Sequence, residues 1–188
     1  MARSDRRVKY TKRVLQDAVL ELLKTRPIAT LTIKEVCELA DVNRGTFYLH
    51  YSEPKEILKE IENEFISENM ATFDAYWKQE RDMGMMAKLF SCILENKSLM
   101  RILLGENGDP QFLRSLTQLC KEGILDEWQK EFPNYERSKL NFLFDFVFPG
   151  SMRLILNWID DDQGLSVEQF AHRLERLGHY SLISAGEF

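Results

Sequence analysis

Glycine and proline are scarce, nine and five residues in 188, and strict two-residue alternation of apolar and polar side chains is hard to find. These absences argue against a strand-rich fold and for helices. Cysteine is scarcer still: Cys37, Cys92 and Cys120 are odd in number, far apart and without C-x-x-C spacing. That pattern suits reduced, buried thiols better than a disulfide framework or a metal site. No apolar run reaches the roughly 18 residues of a membrane helix, and the basic stretch Met1–Arg7 leads into no apolar signal core. The expectation is a soluble, cytoplasmic protein with no membrane partner. The sequence also lacks G-x-S-x-G, H-E-x-x-H, P-loop and dinucleotide glycine patterns. It is therefore expected to be no enzyme, with no catalytic residues, cofactor or metal. His172 and His179 lie seven apart, too far along one helix to chelate a metal as a local pair, and read as surface histidines.

What is present is a large apolar fraction, 44% of residues with 11% aromatic, enough to bury a real core. The net charge of −5 hides an asymmetry. Residues 1–51 carry ten Lys/Arg against six Asp/Glu, net +4, whereas the remainder carries 15 against 24, net −9. A basic front on an acidic body suits a protein that meets a polyanion at one end only.

Apolar residues Val14, Leu15, Ala18, Val19, Leu22 and Leu23 mark a first helix over residues 8–24, stopped at Arg26-Pro27. Thr32-Ile33-Lys34-Glu35 is a capping box and starts a two-turn helix to about Ala40. Asn43 caps a third short helix, Arg44 to about His50, and Pro54 opens a long fourth one to about Gln79. Further helices are expected over 85–95, 99–104, 111–131, 136–160 and 166–184, with Gly105–Pro110 a clear loop. Two short helices joined by a three-residue turn make a helix-turn-helix. Val14, Leu22, Ile33, Val36, Leu39, Val42 and Phe47 are the apolar set expected to brace it.

The run Leu31-Thr32-Ile33-Lys34-Glu35-Val36 followed by Val42-Asn43-Arg44-Gly45-Thr46-Phe47-Tyr48-Leu49-His50-Tyr51 closely resembles the TetR family of bacterial transcriptional regulators, over about residues 8–62. The resemblance implies base contacts from Lys34, Arg44, Gly45 and Thr46, and phosphate contacts from Thr32, Thr46, Tyr48 and His50. The general chemistry agrees: Arg reads guanine in a bidentate fashion, and hydroxyl, imidazole and helix-start amides hold phosphates. Two positions depart from the family pattern. Asp41 stands where the turn glycine is usual, and aspartate tolerates the left-handed conformation. Pro54 stands where a phosphate-binding lysine is expected, with Lys55 next to it as a substitute.

The expected architecture is all-α: a helix-turn-helix domain with a basic N-terminal arm over residues 1–53, then a helical effector-binding and dimerisation domain over 54–188. Residues 140–159 are apolar on nearly all sides, which implies burial on two faces. The family resemblance assigns the second face to a homodimer, through Phe144, Phe148, Gly150, Ser151, Leu154, Ile155 and Trp158. Proline in Phe148-Pro149-Gly150-Ser151 is expected to kink or thin the helix, and the small residues are candidates for a close crossing. Phe65, Trp77, Met86, Phe90, Met100, Phe112, Leu116 and Trp128 are the candidate lining of a pocket for a small-molecule effector of unknown identity. The Gly105–Pro110 loop and the Gly150 to Trp158 stretch resemble a branch that includes regulators of dihydroxyacetone kinase operons. The resulting expectation is a repressor released from a palindromic double-stranded operator by an effector. The alternative is a coactivator or adaptor of the same type, working through protein contacts with reduced DNA binding.

Overall fold

The computed structural model describes residues 2–78, 93–162 and 164–184, and among them there are helices and no strand. They are α1 (Ala2–Leu23), a 3-10 turn (Ile28–Thr30), α2 (Ile33–Ala40), α3 (Arg44–Tyr48), α4 (Pro54–Lys78), α5 (Lys97–Leu103), α6 (Pro110–Glu131), α7 (Arg137–Asp160) and α8 (Val167–Ser184). The boundaries follow the local punctuation read from the sequence. The main difference is α1, which starts at Ala2, so the basic stretch expected as an arm is helical. Most of the helix expected over residues 85–95, and Cys92 with it, lies outside the described residues.

The chain divides into two compact units, Met1–Met70 with Ser98–Phe112, and Ala71–Lys97 with Leu113–Phe188. In the first, Leu15, Ala18, Val19 and Leu23 of α1, Val36 and Cys37 of α2, Phe47 of α3 and Ile57, Leu58 and Ile61 of α4 are buried. Leu39 is not part of this core: it is 51% exposed, because α2 is short and turns that side to solvent. A polar knot ties α1 to α4. The Lys12 ammonium lies 2.6 Å from Glu60 Oε1 and 5.4 Å over the Tyr51 ring, and the Tyr51 hydroxyl donates to Glu60. Burial pushes the Glu60 carboxyl up, but Lys12 and Tyr51 together outweigh it and hold it below its ordinary value.

Glu62 is the unusual member of this unit. Its side chain is 1% exposed, Lys59 pairs with Oε2 at 3.1 Å, and Oε1 is buried without a hydrogen-bond partner. Burial therefore holds its carboxyl above the ordinary range, with Lys59 pulling the other way and Asp109 adding to the rise.

In the second unit Leu125 of α6, Leu140, Leu143 and Phe144 of α7 and Leu182 of α8 form a buried cluster, flanked by Trp128, Phe132, Tyr135 and Phe148. The Tyr135 hydroxyl donates to the Leu182 carbonyl at 3.1 Å, and Trp158 stacks on Phe170 with centroids 5.3 Å apart. Helix α7 runs on through Pro149 to Asp160. By length and composition α7 is apolar enough to cross a membrane, contrary to the expectation from the sequence, and only 28% of its most apolar stretch is buried. Its outward face nevertheless mixes Phe142, Phe146 and Leu154 with exposed Asp145 and Arg153. Such a mixture fits protein contact better than hydrocarbon. Cys37 and Cys120 are free and buried, and burial pushes the Cys120 thiol up to about 11.

Glu62 generates a stability prediction. A carboxyl held up in the folded state stabilises the fold below the ordinary value of 4.5, and that contribution is lost as pH rises. Thermal unfolding from about pH 4 to about pH 8 should show Glu62→Gln gaining on the native protein as pH increases. Parallel profiles would refute this assignment.

Candidate nucleic-acid interface

The helix-turn-helix is assembled almost entirely from local hydrogen bonds. At the start of α2, the Thr32 amide donates to Glu35 Oε2 at 3.0 Å and the Glu35 amide donates to Thr32 Oγ1 at 3.3 Å, closing the capping box. Arg26 adds a bond to Glu35 Oε1 at 2.9 Å. Thr32, then Arg26, hold the Glu35 carboxyl down to about 2. The Thr32 hydroxyl also donates to Glu35 Oε2 at 2.6 Å, so its proton is already engaged.

Helix α2 ends at Asp41, with φ 52 and ψ 45, the one left-handed non-glycine residue among those described. The Val42 amide reaches back to the Cys37 carbonyl at 2.9 Å, which closes the helix end in the manner that normally favours glycine. Aspartate keeps the turn at a modest strain. Asn43 then caps α3, its Oδ1 accepting the Gly45 amide at 2.8 Å. A Cβ at Gly45 would sit 3.3 Å from that oxygen, so glycine keeps the cap uncrowded. Phe47, fully buried, pins α3 inward and fixes which residues face out.

Outward lie Lys34, Arg44 and Gly45, all exposed, with Thr46 and His50 half-buried. Lys34 is 3.7 Å from Glu38, too loose an exposed pair to hold it. Tyr48 is 61% exposed and packs edge-on against Phe47 with centroids 5.8 Å apart. An open groove of about 470 Å³ runs between the two helices, lined by Lys34, Cys37, Glu38, Asp41, Val42, Asn43 and Arg44. The structure thus brings the sequence-selected residues of α2 and α3 to one surface. Sequence reasoning left Leu49 without a role, yet at 79% it is the most exposed large apolar side chain among the described residues. An apolar side chain there can meet a thymine methyl group, and its lack of a core partner in the helical pattern was the available signal.

Lys55, the expected substitute for the phosphate-binding lysine, has a half-exposed side chain. Its ammonium lies 3.1 Å from the buried Asp109 Oδ2, and Pro54 is buried.

Several body residues also need reassignment. Phe144, Ile155 and Trp158, chosen for a partner subunit, are buried in the chain's own core at 0%, 4% and 8% exposure. Phe148 is half-buried and stacks on Phe144, and Ser151 is half-buried. Leu154 stays on the outward face, beside Phe142 and Phe146. Gly150 is exposed, and a Cβ there would meet nothing within 4 Å, so no close crossing within the chain requires it. On α8, Leu177, Tyr180 and Ile183 are also exposed. Of the candidate pocket lining, Phe65, Met100, Phe112 and Leu116 are buried, with Phe65 against Phe112. Trp128 packs on the α7 cluster. Trp77, Met86 and Phe90 lie outside the residues whose side chains are described.

Known proteins resemble both ends of the chain. The family described as "Transcriptional regulator C-terminal region", of TetR type, matches residues 83–180, just over half of the sequence and none of the helix-turn-helix. YxbF, an uncharacterized HTH-type transcriptional regulator of Bacillus subtilis (strain 168), is 24% identical over 173 residues. The alignment takes in 87% of this chain but 43% of that protein, so the chain spans less than half the length of this curated relative. Among solved structures, a TetR transcriptional regulator from Streptococcus agalactiae 2603V is 23% identical with a TM-score of 0.64, covering 97% of each chain. A TetR-family regulator from Syntrophomonas wolfei is 15% identical with a TM-score of 0.69, covering 93% of this chain and 96% of its own. At such identities the structures speak for the fold.

The capping box yields a test of how α2 is held. Because the Glu35 carboxyl is held down, its contribution is present above 4.5 and disappears as pH falls toward about 2. Glu35→Ala should therefore lower the melting temperature at neutral pH, by an amount that shrinks on acidification. A deficit independent of pH would mean that the ionised group is not what holds the helix start.

Proposed function

Because the chain belongs to the TetR family of transcriptional regulators, we propose that it acts in the cytoplasm as a homodimer that binds a near-palindromic operator and represses transcription until a small-molecule effector releases it. The observation that carries this reading is the capped helix α3, which presents Arg44, Tyr48 and Leu49 outward from the headpiece, the first compact unit, whose residues 1–51 are net +4. Arg44 reads a guanine edge, with Lys34 and Thr46 as further base contacts. Tyr48 and His50 hold phosphates, Leu49 packs on a thymine methyl, and the α3 backbone near Gly45 approaches the DNA closely. Thr32 reaches a phosphate only by redirecting its hydroxyl from Glu35.

Two headpieces must enter successive major grooves, about 34–36 Å apart or somewhat more. The pairing surface is the outward face of α7 and α8. Phe142, Phe146, Leu177, Tyr180 and Ile183 are large apolar residues left exposed on these two helices, the kind of surface that a partner covers. Leu154 and Gly150 border the α7 part of that face, whereas Ser151, two turns on from the buried Phe144, falls on the inward side. An effector releases DNA only if it binds better to a headpiece spacing that the operator does not accept.

Three outcomes are expected. In mobility-shift titrations with the upstream region of its own gene, Arg44→Ala should cost about 1–3 kcal/mol and relax discrimination at one base position. Tyr48→Phe should instead weaken binding to all sequences alike; equal loss of discrimination in both variants would overturn the assigned roles. No salt-dependent retention of DNA by the native protein would sink the regulator reading itself. In sedimentation, Phe142→Asp combined with Phe146→Asp should yield a folded monomer with much reduced operator affinity, and a dimer that persists would move the interface elsewhere.

A further inference from the structure

The first compact unit contains a piece of chain remote from the helix-turn-helix in sequence, Ser98–Phe112. Within it, the loop after α5 is tightly built. The Leu104 amide donates to the Met100 carbonyl at 2.9 Å and the Gly108 amide to the Gly105 carbonyl at 3.2 Å. A Cβ at Gly105 would come within 2.3 Å of the Arg101 carbonyl oxygen, and one at Gly108 within 2.3 Å of the Leu103 carbonyl oxygen. Both glycines are therefore required by close backbone approach.

This loop makes two directed bonds to the rest of the unit. The Ile28 amide, in the turn before α2, donates to the Asn107 carbonyl at 3.1 Å. Lys55, in the first turn of α4 and just beyond α3, lies 3.1 Å from Asp109 Oδ2. The other carboxylate oxygen, Oδ1, accepts the Gln111 amide at 2.9 Å and so caps α6. The Asp109 side chain is 8% exposed. Burial would raise its carboxyl, but Gln111 and Lys55 outweigh it and hold it below its ordinary value. The anion is thus fixed at the start of a 22-residue helix, and Lys55 comes to it.

We propose that the loop from Gly105 to Asp109 is a clamp on both flanks of the helix-turn-helix, and that Lys55 is a positioning residue for that clamp rather than a phosphate ligand. The proposal rests on the DNA-binding reading for its purpose but not for its geometry. One loop holds the chain five residues before α2 begins and seven residues after α3 ends, so it sets where both helices sit. Lys55 and Lys59 also stand among two buried carboxylates, Asp109 and Glu62. Loss of Lys55 leaves that negative cluster undercompensated and loosens the clamp from the α4 side. Asp109→Asn is the sharper probe, because asparagine caps a helix as well as aspartate and removes only the ion pair.

The test combines hydrogen exchange of the free protein with salt-dependent DNA titration. Lys55→Ala and Asp109→Asn should each speed exchange of the Ile28 amide by about two- to fivefold, and the double variant should be no faster than either single one. Lys55→Arg, which restores the pair, should return exchange to the native rate. On DNA, Lys55→Ala should weaken binding by a similar factor while leaving the slope of log affinity against log salt unchanged. A lost phosphate contact would instead flatten the slope by about 0.9. Native exchange at Ile28 in both single variants, additive effects in the double variant, or a flattened slope would each overturn the proposal. Failure of the native protein to bind DNA would remove the regulator reading, and the exchange measurements would still decide the clamp.

Discussion

A five-residue helix has no stability of its own, since a single helical turn fixes many dihedrals for few hydrogen bonds. Helix α3 is such a helix, and its outward side carries Arg44 and Tyr48. It persists because it is held from three directions. Asn43 satisfies its start, the left-handed Asp41 sets its angle to α2, and Phe47 sinks completely into the core behind it. Buried residues of α1, α2 and α4 belong to the same unit, and the Phe47 ring also meets Tyr51 with centroids 6.0 Å apart. The Lys12–Glu60–Tyr51 knot then keeps α1 and α4 together.

Polar groups in this unit are divided between two tasks. Charges on the outer surfaces of α2 and α3 are loosely partnered or exposed, as Lys34 and Arg44 are. Three carboxylates of α4 have directed partners, Glu56 in Ser52, Glu60 in Lys12, and Glu62, through one of its two oxygens, in Lys59. On the α2–α3 surface Lys34 and Arg44 stand beside Glu38 and Asp41, while these three carboxylates of α4 are directed to partners of their own. The basic excess of the chain lies in residues 1–51, net +4 within a total of −5, and the field at a surface depends on such local placement.

Much of this was legible in the sequence because it is local. Capping residues, prolines and helical periodicity place α2, α4, α6, α7 and α8 within a residue or two of where they lie, and the left-handed turn at Asp41 followed from the turn glycine that the family resemblance implies there. Phase on α7 was not. Where a helix is apolar all round, periodicity cannot say which side a neighbouring helix covers, and Phe144 proved inward while Phe142 and Phe146 face out. Pairings across long stretches of chain were also hidden. Nothing near Lys55 in sequence announces Asp109, and nothing near Ile28 announces Asn107. Leu39 failed for the opposite reason, since a two-turn helix offers too few positions for its apolar stripe to be phased securely.

The discontinuity of the first unit bears on how the protein is made. A headpiece closed only by Ser98–Phe112 cannot reach its final arrangement when α4 leaves the ribosome, although all three helices of the reading motif have by then been synthesised. At about 5–20 residues per second, the wait from Met70 to Phe112 lasts seconds, long enough for local helices to form and dissolve many times. The helix-turn-helix is therefore synthesised before residues 98–112, and the unit they share is completed only when that later segment has emerged.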